Sequence, residues 1–308
     1  MRSIYLLVFV AWCGAVSPAW AETLRVEGVY PAGSDAAAAL RTITVEQFGG
    51  EGGADLSFRI EDTLRAESFR GQPWIRVMPY GPNSAAAPLM RGTAAIDEQV
   101  NNYSEQRERC IKGADGKCTD AKEKFQVQCK RRVIELQPRI RLVAPDGTLL
   151  WSDDRPEQVT ETWCDDSGKA PRQRGAIARD LADRVARRTR AEFVPGFQQE
   201  DVRVDENRKE LNKADGDSFK AAVRKVKDGN AAGACADWTG LAAANPAHLP
   251  SLFNLGVCAE AAGNDAAAQE RYQAVLQLDP RNLKAQGRLG RIAERQRARR
   301  QLEAHAAG

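Results

Sequence analysis

The sequence predicts an α+β protein, with a mixed sheet-and-helix region built on antiparallel hairpins followed by an all-α region of helical hairpins. Three observations carry this. Over 40–195, β-branched runs alternate with amphipathic segments. Within that region, the turn Pro145-Asp146-Gly147 separates two apolar runs. From 215 onward, a pattern of small and aromatic residues returns every 34 positions.

The first 21 residues read as a cleaved export signal. Arg2 precedes an apolar run from Ile4 to Val10, and Ala19-Trp20-Ala21 supplies the cleavage pattern. The expectation is a periplasmic chain cut after Ala21. Trp12 before Cys13 is the wrong neighbour for a lipid attachment site. No later stretch is long and apolar enough for a transmembrane helix. The net charge of +3, which falls by one without Arg2, gives no argument for nucleic acid.

The expected domains are the signal at 1–21, a disulfide-clipped α/β domain at 22–195, a charged linker at 196–214 and a helical module at 215–308. In the α/β domain, 42–48 alternates Ile43 and Val45 as a strand. The loop Gly49-Gly50-Glu51-Gly52-Gly53 leads to a helix over 55–67, capped by Asp55, with Leu56, Ile60 and Leu64 on one face. A second strand follows at 74–80. Residues 139–151 form a hairpin, and 174–195 form a closing helix with Ile177, Leu181 and Val185 inward.

Seven cysteines less Cys13 leave six, an even number in an exported chain. If the long hairpin turns between Asp146 and Gly147, Cys129 faces Cys164 across it. Cys110 and Cys118 flank a turn at Asp115-Gly116 and clip the tip of a second hairpin, 94–110 with 118–130. The 129–164 link closes the longer loop and is worth about 3 kcal/mol in the chain-entropy view.

In the helical region, Ala222 recurs as Gly256, Gly229 as Gly263, Ala234 as Ala268, Trp238 as Tyr272 and Pro246 as Pro280. Leu289-Gly290 begins a further copy. This period and pattern resemble the tetratricopeptide repeat over 215–300. The resemblance implies antiparallel helices at about 231–244 and 249–262. It would set Cys235 near Cys258 for a third bridge, the alternative being two buried free thiols. It also implies that the first helix of each pair lines a partner-binding groove, formed here by Phe219, Val223, Val226, Phe253 and Val257. The competing reading is that the chain's own segments cover this stripe. The final helix carries Arg288, Arg291, Arg295, Arg297, Arg299 and Arg300, read as a solvated cap or as a contact for an anionic envelope surface.

The element order of 40–195, with the 142–153 hairpin before a closing helix, resembles the α/β domain of bacterial envelope assembly lipoproteins. These are the curli secretion channel and the penicillin-binding-protein activator type. That resemblance implies an assembly or adaptor role. The missing lipid site and the cysteine clips are departures from it.

Chemistry is sparse. The two histidines, His248 and His305, read as exposed and lack neighbours for a metal or a catalytic triad. No C-x-x-C occurs, and the glycine run lacks a phosphate-loop lysine. The acid pairs Glu61-Asp62, Asp153-Asp154 and Asp165-Asp166 leave open a cell-wall hydrolase working through two carboxylates. The expectation is a non-enzymatic periplasmic scaffold or adaptor for a protein or peptide partner, without cofactor, catalytic residues or metal.

Overall fold

The computed structural model describes residues 22–81, 86–112, 114, 117–168 and 170–307. The expected signal at 1–21, Cys13 within it, and the expected turn at Asp115-Gly116 lie outside the described residues. The chain is α+β and divides into two units. One takes residues 22–29 and Phe197–Gln296; the other takes Tyr30–Gly196 and the chain from Arg297.

The sheet unit is built on the β-α-β order. Strands β2 (Thr42–Val45) and β5 (Arg76–Met78) are parallel, joined through helix α2 (Gly53–Arg65). Between them, β3 (Ser68–Phe69) and β4 (Gln72–Pro73) make a small hairpin. β2 also pairs in parallel with β6 (Leu89–Lys112), which turns back into β7 (Cys118–Val143). β8 (Leu149–Asp153) and β9 (Glu157–Cys164) both pair with β7, and the sheet order is β5-β2-β6-β7-β8 with β9 beside β7.

The even residues Ile134, Leu136, Ile140 and Leu142 of β7 are buried with Leu56, Ile60 and Leu64 of α2. They share that core with Ile177, Leu181 and Val185 of helix α3 (Arg174–Phe193). Burial of such side chains contributes about 1.5–3 kcal/mol each. The odd residues Gln137, Arg139 and Arg141 stay exposed, the alternation of a sheet covered on one face. The α2 boundary differs from expectation. Gly52 is the N-cap and makes no side-chain bond, while Asp55 sits in the first turn and holds Arg59 at 2.9 Å. A Cβ on Gly53 would overlap the Phe48 carbonyl, so the glycines let the loop close onto the helix.

The helical unit contains α4 (Lys213–Lys227), α5 (Ala231–Ala244), α6 (Leu249–Ala261), α7 (Asp265–Leu278) and the first part of α8 (Leu283–Ala307). Asn212, Asn230 and Asn264 cap α4, α5 and α7 through side-chain bonds, and Pro250 occupies the first turn of α6. Asn230 and Asn264 stand 34 residues apart, one more echo of the repeat. Gly256 faces Tyr272 so closely that a Cβ would strike the ring. The small residue exists to admit the aromatic.

Two strands were not legible as such. β1 (Thr23–Tyr30) and β10 (Gly196–Arg203) pair with each other. The stretch read as a charged linker therefore begins with a strand, and Val202 and Val204 point inward. A short helix α1 (Asp35–Ala38), capped by Ser34, completes the sheet unit.

Candidate functional site

All six described cysteines are paired: Cys110–Cys118, Cys129–Cys164 and Cys235–Cys258. The Cys235 and Cys258 Cα atoms are 5.9 Å apart on α5 and α6. The other two bridges lie on one feature. Beyond the helix-covered core, β6 and β7 continue as a paired ribbon from about Tyr103 to Cys118, with Tyr103 opposite Cys129 and Lys112 opposite Cys118. Cys129–Cys164 ties the ribbon's base to β9, and Cys110–Cys118 closes its tip.

The arm has a small apolar seam of its own. Val127, Cys129 and Cys164 are buried together, with Tyr103 and Phe125 packed against them. These residues are odd-numbered on β7, so the seam lies on the sheet face opposite the main core. Arg107 donates to Asp166 at 2.9 and 3.0 Å and to Glu105 at 2.9 Å. That bond holds the Glu105 carboxyl below its usual range. The Arg109 guanidinium lies 5.0 Å from the Phe125 ring centroid and pairs with Glu123. Beyond the β9 pairing, the outer edges of both strands meet no strand among the described residues. An open edge offers rows of free N–H and C=O groups to an incoming strand. Alternating charge along the edge keeps it from sticking indiscriminately.

Glu105, Cys129 and Cys164 come within metal-ligating distance of one another, but the disulfide uses both sulfurs. Glu61 is held by Arg65, and Asp166 by Arg107. Asp153 is buried and accepts from Arg155 and Arg188, each at 2.8 Å. Burial raises its pKa, yet the two arginines outweigh that and hold the carboxyl below its ordinary value. A general acid needs the opposite shift.

The expected groove residues are brought together, but as core. Phe219, Val223, Val226, Phe253 and Val257 are all buried, in one cluster with Leu24 and Val26 of β1 and with Val202 and Val204. The chain's own β1–β10 ribbon shares this core with the stripe. Polar contacts fix it there. The Asp205 N–H donates to Asn254 Oδ1 at 2.7 Å, and Asn254 Nδ2 donates to the Asp205 carbonyl at 2.9 Å. Glu200 on β10 meets Arg288 at 2.9 Å.

The basic helix also departs from a solvated cap. Arg288 and Arg295 are buried and converge on Glu260, which also accepts from the Tyr272 hydroxyl at 2.7 Å. Arg295 further holds Asp265 at 2.6 Å. Arg291 pairs with Glu294 and Arg297 with Asp35. Little free charge remains on α8 for an anionic surface. His248 and His305, read as exposed, are both buried. His248 Nδ1 lies 2.8 Å from the Ser251 hydroxyl.

No family model matches the chain, and no curated protein matches it. No helix among the described residues is long and apolar enough to cross a membrane.

Proposed function

We propose that the protein is an exported, non-enzymatic scaffold or adaptor of the bacterial envelope whose contact element is the β6–β7 arm. The observation that carries this is the placement of the disulfides. Both bridges of the sheet unit sit on the arm, one at its base and one at its tip. An isolated two-stranded ribbon is marginal in water. The bridges reinforce the element least able to hold itself, and the open edges then present a rigid template for strand addition by a protein or peptide partner. Three disulfides also suit an oxidising compartment such as the periplasm.

The 34-residue echo and the paired helices support a tetratricopeptide-like reading of the second unit. In this reading its apolar stripe serves the unit's own core, which includes residues of the β1–β10 ribbon. A test replaces residues 104–126 with a short turn while keeping Cys129 and Cys164. Loss of the native co-purifying partner, with thermal unfolding unchanged, is expected. Full retention of the partner would refute the arm as the contact element.

A further inference from the structure

We infer that a pocket in the sheet unit, between Arg41, Arg70, Arg76 and the Trp74–His305 stack, binds a small oxyanion ligand bearing phosphate or carboxylate groups. Two cavities of about 280 and 250 Å³ share Arg41, Gln72 and Pro73. Trp74 and Arg76 line the first, while Arg70 and His305 line the second. Among the described residues no carboxylate lines either one.

The arginine charge lining these cavities meets no acid in their linings. Elsewhere in the unit, Arg59, Arg132, Arg174, Arg188 and Arg190 each hold an acid. Among the described residues Arg41 and Arg76 meet none, and Arg70 only overlies the Phe69 ring, 5.1 Å from its centroid. Each cavity is lined by two arginines, Arg41 with Arg76 in the first and Arg41 with Arg70 in the second, whose like charges favour an entering anion. Their planar forks match carboxylate and phosphate oxygens.

The wall of the second cavity is built on a buried histidine. His305 is 4% exposed, and its Nδ1 has no hydrogen-bond partner among the described residues. Buried polar atoms rarely go unmatched. The ring is not free to turn away. It stacks on Trp74 at 3.6 Å with 5° between planes, and Trp74 Nε1 is anchored on the Phe193 carbonyl at 2.9 Å. The rim is also fixed. Arg70 and Gly71 both adopt left-handed backbone, with φ of 52° and 79°, in the tight β3–β4 turn. Burial, and next the charge of Arg41, lower the imidazole pKa, so the anionic ligand oxygens fall to the arginines.

The test is calorimetric titration of the full chain at low salt with inorganic phosphate, pyrophosphate and citrate. At least one should bind saturably, and the preferred arm tells phosphate from carboxylate recognition. Arg41→Ala and Arg76→Ala should each weaken binding at least tenfold, while Arg139→Ala, an exposed arginine on β7, leaves it unchanged. Should either pocket variant unfold, Arg70→Ala at the exposed turn takes its place with the same expectation. Absence of saturable binding to all three anions would overturn the assignment. So would pocket variants that bind like the wild type, or an equal loss in Arg139→Ala.

Discussion

Cys129 on β7 lies directly opposite Cys164 on β9, their Cα atoms 4.0 Å apart. The same register sets Leu136 against Glu157 and, beyond the intervening corner, Leu142 against Trp151. The turn at 144–148 therefore helps set which residues meet 15 and 16 positions beyond its ends. The bridge records that register covalently and roots the arm in the sheet. Replacing both cysteines with alanine should lower stability by about 3 kcal/mol, read as a shift in urea midpoint at unchanged slope. No loss would mean that the β7–β9 pairing stands without the link.

The tip bridge should behave differently. Cys110 and Cys118 are eight residues apart and far from the main core. Cys110→Ser/Cys118→Ser is expected to speed amide exchange over 104–112 and 118–126 at least tenfold while leaving the global melting temperature within about 2 °C. A large drop in melting temperature would contradict a locally acting clip.

Phe219 and Phe253 separate a core from a groove. Both are buried among β1, β10 and the helices. Phe219→Glu should unfold the helical unit, because an unpaired carboxylate cannot be accommodated there. A folded Phe219→Glu protein, judged by circular dichroism, would show that the ribbon can leave the stripe.

Glu260 is the acid at the centre of the helical unit. Glu260→Gln leaves Arg288 and Arg295 short of buried negative charge and should cost about 3–5 kcal/mol. Gly256→Ala, beside Tyr272, should cost about 1–3 kcal/mol by overpacking. Chemical denaturation measures both.

The histidines give a pH dependence. Burial lowers the pKa of His248, against the opposing charges of Glu210 and Asp205. Burial, then Arg41, lowers that of His305. The unfolded chain thus binds protons more tightly than the folded one. The stability is present above the unfolded value of 6.5 and is lost as pH falls through the lower folded values. Melting temperature should decline from pH 7 to pH 5, and less steeply in a His248→Gln/His305→Gln variant. Identical slopes would exclude the histidines as the cause.

What the sequence revealed follows physical strength of signal. The Pro145-Asp146-Gly147 turn fixes a centre, so the Cys129–Cys164 pairing could be read by counting. The Gly and Pro positions of the helical repeat are forced by close approach and helix termination, so the boundaries of α5 and α6 emerged within a residue. β10 did not emerge, since only Val202 within it faces inward and its remaining side chains look like linker. β1 did carry a signal in the alternation Leu24, Val26, but nothing in the sequence named its distant partner. The burial of His248 and His305 has no periodic signature at all. That Phe219, Val223, Val226, Phe253 and Val257 are buried in a core shared with β1 and β10 is a tertiary fact that periodicity does not encode.

The most direct measurement is photo-crosslinking in the native envelope, with a photoreactive residue placed either at Glu108 on the arm or at Lys220 on the exposed side of α4. The account predicts a discrete crosslinked partner from position 108, abolished by Cys110→Ser/Cys118→Ser, and none from position 220. A partner captured from position 220 but not from position 108 would contradict it.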